Sequence, residues 1–195
     1  MEFENLKSHS NAVINDVFVI KPDCFEDDRG FFFESWNNKK LNDILNQNIN
    51  FVQDNHSSSQ RGVIRGLHYQ LQPNPQGKLV RCIQGEIFDV AVDIRQDSQT
   101  FGEWVGCYLN SINKKQLWVP VGFAHGFLTI SDSAEVLYKA SGYWSKELER
   151  SIIWNDKMIN IEWPLSNFIK SGPLLADKDA NAPSLISAKN KGEIL

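Results

Sequence analysis

A mainly β protein, folded as a jelly-roll barrel with short peripheral helices, is the class the sequence predicts, and three observations carry it. Between Phe51 and Tyr143, eight short runs have strand character. Turn residues punctuate them about every ten positions, the spacing of a sandwich or barrel rather than of strand-helix-strand units. In Phe88-Asp-Val-Ala-Val-Asp-Ile-Arg95 the even positions are apolar and the odd ones mostly polar, as a wall with two different faces requires.

The elements follow in order. Val17–Ile20 and Gly30–Trp36 are rich in branched and aromatic residues and read as β segments, separated by an acidic turn at Glu26-Asp-Asp28. Asn37–Asn46 then places Leu41, Ile44 and Leu45 at helical spacing with asparagine available as a cap, which predicts a short helix. The eight core strands are Phe51–Gln53, Val63–Gln70, Lys78–Gln84, Glu86–Arg95, Trp104–Leu109, Gln116–Val119, Gly126–Ile130 and Ala134–Ala140. Between them lie turn signals such as Pro73-Asn-Pro, Gln84-Gly85, Asp97-Ser98, Ser111-Ile-Asn113 and Ser131-Asp-Ser133. After Trp163-Pro164, the glycine and prolines at Gly172-Pro173 and Pro183 predict loops with a short helix packed on the barrel. No repeat, low-complexity run or linker divides residues 1–195, so one domain with its core barrel at about 51–143 is expected.

Composition narrows the partners. With 195 residues and 42% hydrophobic content the chain can bury a substantial core. A net charge of -4 and a pI near 5.6 argue against nucleic acid or an anionic membrane, which demand clustered Lys and Arg. The three cysteines, Cys24, Cys82 and Cys107, are odd in number, far apart and set in apolar runs, which predicts buried reduced thiols and a cytoplasmic setting. The most apolar stretch, Leu117 to Ile130, is broken by Pro120, two glycines and His125 and is too short to span a bilayer. The N-terminus lacks the basic flank and apolar core of a signal peptide.

The chemistry concentrates in Gly62-Val-Ile-Arg-Gly-Leu-His-Tyr-Gln70, where Arg65, His68 and Gln70 crowd one strand. Burying such groups costs free energy unless they meet charged partners or a ligand. The segment resembles the cupin metal motif His-x-His with the second ligand replaced by Gln70, and Pro120-Val-Gly-Phe-Ala-His125 matches that motif's second half. A histidine in such a pocket without a metal is free to move protons. Taken singly, the other candidates have plain structural readings: Lys78 as a strand end, Tyr138 as a rim tyrosine, Asp179 as a turn cap, Arg29 and Glu34 as a surface ion pair, His125 as a hydrogen-bonded strand end.

Together, ordered segments from about Val17 to Pro183 resemble the dTDP-4-dehydrorhamnose 3,5-epimerase family of cupin-fold enzymes. They include Asp28-Arg-Gly-Phe-Phe-Phe-Glu-Ser35, Phe51-Val-Gln-Asp-Asn-His-Ser57, Val63–Gln70, Gln76-Gly-Lys-Leu-Val-Arg81, Gly122–Phe127, Leu137-Tyr-Lys139 and Lys178-Asp179. The resemblance implies His68 as general base, Asp179 as its paired carboxylate, Tyr138 as general acid and Lys78 as a cation near the substrate. Asp177, two residues earlier, is the other carboxylate that could hold the Asp179 role. Arg29, Glu34, Gln53, Asp54, Asn55, Arg65, His125, Glu149 and Lys178 fall on sugar-nucleotide-binding positions. Trp144 stands where the family commonly stacks a tyrosine on thymine, so an aromatic face is kept while the phenol hydroxyl has no counterpart. What the resemblance further implies is a homodimer that needs neither metal nor organic cofactor and epimerises C3 and C5 of dTDP-4-dehydro-6-deoxy-D-glucose in dTDP-L-rhamnose biosynthesis. An epimerase that inverts only C3 or only C5 or acts on a related nucleotide 4-keto-6-deoxy sugar, a metal-dependent cupin oxygenase or isomerase, and a non-catalytic sugar-nucleotide-binding cupin are the alternatives.

Overall fold

The computed structural model describes residues 1–165 and 172–195. Two antiparallel sheets dominate it. One has six strands in the order β1 (Glu2–Lys7), β2 (Val13–Lys21), β10 (Gln116–Val119), β7 (Lys78–Gln84), β12 (Ser133–Ala140) and β5 (Gln53–Gln60). The other has five, in the order β13 (Glu149–Ser151), β6 (Ile64–Gln70), β11 (Phe123–Thr129), β8 (Glu86–Asp93) and β9 (Trp104–Asn110). A separate hairpin pairs β3 (Cys24–Asp27) with β4 (Gly30–Phe33). Three short helices complete the described elements: α1 (Asn38–Leu45), α2 (Asp177–Ala180) and α3 (Leu185–Asn190).

The sheets face each other as a jelly roll, and no hydrogen-bonded strand pair joins them among the described residues. Val19, Val80, Leu117 and Val136 of one sheet meet Ile87, Val105, Leu109 and Phe127 of the other in a shared core. A second core lies on the outer face of the five-stranded sheet, where Phe88, Val90, Val92 and Ile94 pack with Ile152 and with Leu185 of α3. The alternation in β8 therefore has an interior polar face: Asp89 and Asp93 are both 0% exposed, while the apolar face is covered by the C-terminal segment.

Helix α1 forms where its apolar spacing predicts. The Asn37 side chain accepts a hydrogen bond from the Lys40 amide at 3.1 Å, and Leu41 and Leu45 pack against Leu79 and Trp118. Its third apolar residue, Ile44, stays exposed. Other expectations need correction. The segment expected as an acidic turn is mostly strand β3, and the chain reverses at Asp28 and Arg29, where the Asp27 carboxylate accepts the Arg29 amide at 2.9 Å. Cys82 is buried but Cys24 and Cys107 are partly exposed, and all three are free thiols. Edge strands β1 and β13 are additions that the apolar pattern does not predict. The loop expected between Pro164 and Gly172 lies largely outside the described residues.

One irregularity places chemistry. His125 of β11 opposes His68 of β6, yet Phe127, two residues on, opposes Arg65, three residues back. The extra residue is a bulge in β6, and it restores Arg65 and His68 to one face although a regular strand would send them to opposite faces. The backbones touch there. Gly66 has φ +122°, and a Cβ on it would stand 2.5 Å from the Gly126 Cα.

Candidate active site

A cavity of about 430 Å³ opens between the sheets. His68 comes from β6 and His125 from β11 on one wall, and Lys78 of β7 and Tyr138 of β12 stand on the other. Asp179 of α2 and Glu149 of β13 line it as well. α2 reaches His68 because the stretch of chain before it is tied to β6: Leu174 donates to the Gly62 carbonyl at 2.8 Å and accepts from the Ile64 amide at 3.0 Å.

His68 Nε2 lies 2.6 Å from Asp179 Oδ1, and the Gly66 amide donates to Asp179 Oδ2 at 3.4 Å. Asp179 is 2% exposed, whereas Asp177 is exposed on the outer side of the same short helix. Burial lowers the His68 pKa below the ordinary 6.5, outweighing the contrary pull of Asp179, and the Lys78 and Lys178 charges push the same way as burial. Burial therefore favours the unprotonated imidazole at neutral pH.

Lys78 is buried and donates to the His68 carbonyl at 3.3 Å. Burial brings its pKa down to about 8, with Asp89 and Glu149 opposing the fall. Tyr138 moves the other way. Burial raises its phenol above the usual 10, so it stays protonated.

The remaining sequence candidates divide by position. Arg65 lines the cavity and is braced from β5, donating through Nε to Ser59 Oγ at 2.9 Å. Lys178 also lines it and pairs with Glu149 at 3.1 Å. Gln53 and Asn55 hydrogen-bond to each other at 2.9 Å on one face of β5, and the Trp144 amide donates to Gln53 at 2.9 Å, leaving the Trp144 ring exposed. Asp54 sits on the opposite face of β5, paired with Lys139 at 2.9 Å. Arg29 and Glu34 lie outside the cavity lining, ion-paired to Asp27 and Lys40 at the exposed hairpin. Gln70 is taken up structurally: its Nε2 donates to the Asn74 and Tyr143 carbonyls and its Oε1 accepts from the Ser145 amide at 2.8 Å.

Two features of the site, one in the lining and one behind it, have no signal in the sequence. Ser57 reaches the cavity with its Oγ buried and without a hydrogen-bond partner among the described residues. Asp89 stands behind His125, with Oδ1 2.7 Å from Nε2. Both fall in stretches where polar residues pass for solvent-facing positions.

Residues 11–187 match the family model described as dTDP-4-dehydrorhamnose 3,5-epimerase. A dTDP-4-dehydrorhamnose 3,5-epimerase of Shigella flexneri is 56% identical over 90% of this chain and 94% of its own. The crystal structure of a dTDP-6-deoxy-D-glucose-3,5-epimerase from Legionella pneumophila, in complex with dTDP-4-keto-L-rhamnose, superimposes with a TM-score of 0.88 at 42% identity, covering 99% of this chain and 97% of that one. ChmJ, a 3'-monoepimerase from Streptomyces bikiniensis in complex with dTDP-quinovose, reaches a TM-score of 0.84 at 30% identity over 92% and 88% of the two chains. A match across nearly the whole chain in sequence and in fold leaves one conclusion: the chain belongs to the dTDP-4-dehydrorhamnose 3,5-epimerase family.

Proposed function

We propose that this protein epimerises C3 and C5 of dTDP-4-dehydro-6-deoxy-D-glucose, giving dTDP-4-dehydro-L-rhamnose for dTDP-L-rhamnose synthesis. The observation that carries the reading is the His68–Asp179 pair facing Lys78 and Tyr138 across one cavity. The C4 ketone acidifies the hydrogens on both neighbouring carbons. His68 removes one of them, and Asp179 holds the imidazole and stabilises the imidazolium that forms. Lys78 meets the charge that develops on the C4 oxygen. Tyr138, on the opposite sheet, returns a proton from the other side, and that inverts the carbon. Arg65 offsets the pyrophosphate, for which its planar fork is suited. The exposed ring of Trp144 stacks on thymine.

The test is exchange in D₂O with the 4-keto sugar nucleotide. Deuterium is expected at both C3 and C5. Incorporation at one carbon only would favour the single-site activity of ChmJ, to which the fold is also similar, and none at all would leave a binding protein. The pH profile of kcat/KM gives a second check. Because the base works unprotonated and burial lowers its pKa, the acidic limb is expected below 6.5. Because Lys78 works charged, activity is expected to fall as pH rises through about 8. An alkaline limb at about 10.4, the ordinary lysine value, would show that burial does not lower the Lys78 pKa.

The working unit of this reading is a cytoplasmic homodimer. No helix among the described residues is long and apolar enough to cross a membrane. The β3–β4 hairpin exposes Phe25, Phe31 and Phe32, each more than half accessible, an apolar load suited to a second copy. Arg29 and Glu34 then act on the partner's cavity, which accounts for their absence from their own. Mixing the inactive variants Arg29→Ala and His68→Asn is expected to restore up to about a quarter of wild-type activity, since half the dimers are mixed and each holds one intact site. Failure of the mixture to recover any activity would place both residues in the same subunit's site.

A further inference from the structure

Behind the reacting groups lies a second Asp–His pair. His68 and His125 are direct neighbours across β6 and β11, and Ala91 of β8 is the next residue in the same row. Asp89, two residues before Ala91, shares its face of β8. The His125 side chain is 7% exposed and that of Asp89 is 0%, with 2.7 Å between Nε2 and Oδ1. The other oxygen, Asp89 Oδ2, is buried and has no hydrogen-bond partner among the described residues. A buried carboxylate that serves only to anchor a side chain would be expected to satisfy both oxygens. A charge carried there would stand in a low-dielectric interior, where charges act strongly on one another.

The group that feels this charge is Lys78. Its ammonium donates to the His68 carbonyl, which leaves protons for a ligand in the cavity. A carboxylate bonded directly to the lysine would leave it one fewer to offer. Resting on the function proposed above, we infer that Asp89 is a positioning residue for the reaction: one oxygen seats His125 against the cavity, and the other stands as a counter-charge to Lys78 that takes none of its protons.

The surroundings of Lys78 define what would move. Asp89 on β8 and Glu149 on β13 favour its charged form, and Lys178 on α2 opposes it. His68, His125 and Tyr138 face it from β6, β11 and β12, with Arg65 and Asp179 further along the same cavity. The Asp89 field is also felt at Cys107 and Cys82, whose thiols burial raises and Asp89 raises further, Cys82 to about 11. Neither thiol titrates in the range where Lys78 does.

The experiment compares wild type with Asp89→Asn, which keeps shape and an acceptor but removes the charge. The expected result is a fall in kcat of about tenfold or more with KM nearly unchanged, and an alkaline limb displaced downward by about one pH unit. In Asp89→Glu, which restores charge but misplaces the oxygen, the limb is expected to return while kcat stays reduced. An Asp89→Asn profile that superimposes on wild type overturns the proposal. Where neither variant folds, ¹⁵N NMR of wild-type His125 decides: Nε2 carrying the proton toward Asp89 is expected, and a bare Nε2, which would put the proton and neutrality on Asp89, overturns it. If wild type shows no deuterium exchange at all, the epimerase reading itself has failed, an outcome distinct from exchange that is indifferent to Asp89.

Discussion

His68→Asn is expected to abolish deuterium incorporation at both C3 and C5, a loss of at least about 10³-fold in kcat. Asparagine keeps roughly the size and one hydrogen-bonding edge of imidazole, so Asp179 retains a partner and the cavity keeps its shape. What goes is the basic nitrogen. The proposed base is suited to the task, since burial lowers the His68 pKa and Asp179 lies 2.6 Å away, where it would stabilise the positive charge. Asp179→Asn should fall by a similar order, since a neutral amide neither fixes the tautomer nor stabilises an imidazolium. Isotope exchange read by NMR at each carbon separately checks both variants. Exchange surviving at either carbon in His68→Asn would show that a second base serves it.

Lys78→Met is expected to lower kcat by about 10²- to 10³-fold with a much smaller change in KM, the signature of a group that matters most when charge develops. Methionine fills the same buried space without the ammonium, so the effect is electrostatic rather than a cavity. The position is costly in the resting protein, as the fall of its pKa to about 8 indicates. Such a cost is repaid only where an anion forms beside it. Steady-state kinetics and binding of unreacted dTDP separate the two quantities. A raised KM with kcat unchanged would make Lys78 a ground-state binding residue instead.

Much of the architecture was legible because the core strands advertise themselves. Lys78–Gln84 and Gln116–Val119 appear with the bounds their apolar runs suggest, and α1 shifts by a residue at each end. β5 was nearly invisible. Its sequence, Gln53–Gln60, is polar on both faces, since one faces the cavity and the other bears Asp54 and His56 outward. Hydrophobic periodicity has no purchase on a strand whose inner face turns polar side chains toward a cavity. β1 and β13 are short edge strands with little apolar content, and β3 hid behind acidic residues that suit turns.

The site was legible in part for a different reason. His68, Lys78, Tyr138 and Asp179 come from four distant segments, and nothing in their spacing brings them together. Motif resemblance did that, not periodicity. It assigned Asp179 to His68 but left Asp177 open, and the choice between them depends on the orientation of a four-residue helix. It could not reveal the bulge in β6, since one extra residue leaves no mark on composition while turning Arg65 and His68 to a common side. Asp89 read as one polar position in an alternating strand, and only its total burial shows that the polar face looks inward.

The tie between Leu174 and the start of β6 bears on how the enzyme comes into being. Asp179 is delivered by a stretch that follows every described strand in sequence, so the imidazole gains its carboxylate only when that stretch docks on the sheets. Proton transfer should therefore switch on last, when the tail folds home. A nick on either side of that stretch would silence the enzyme while sparing its sheets.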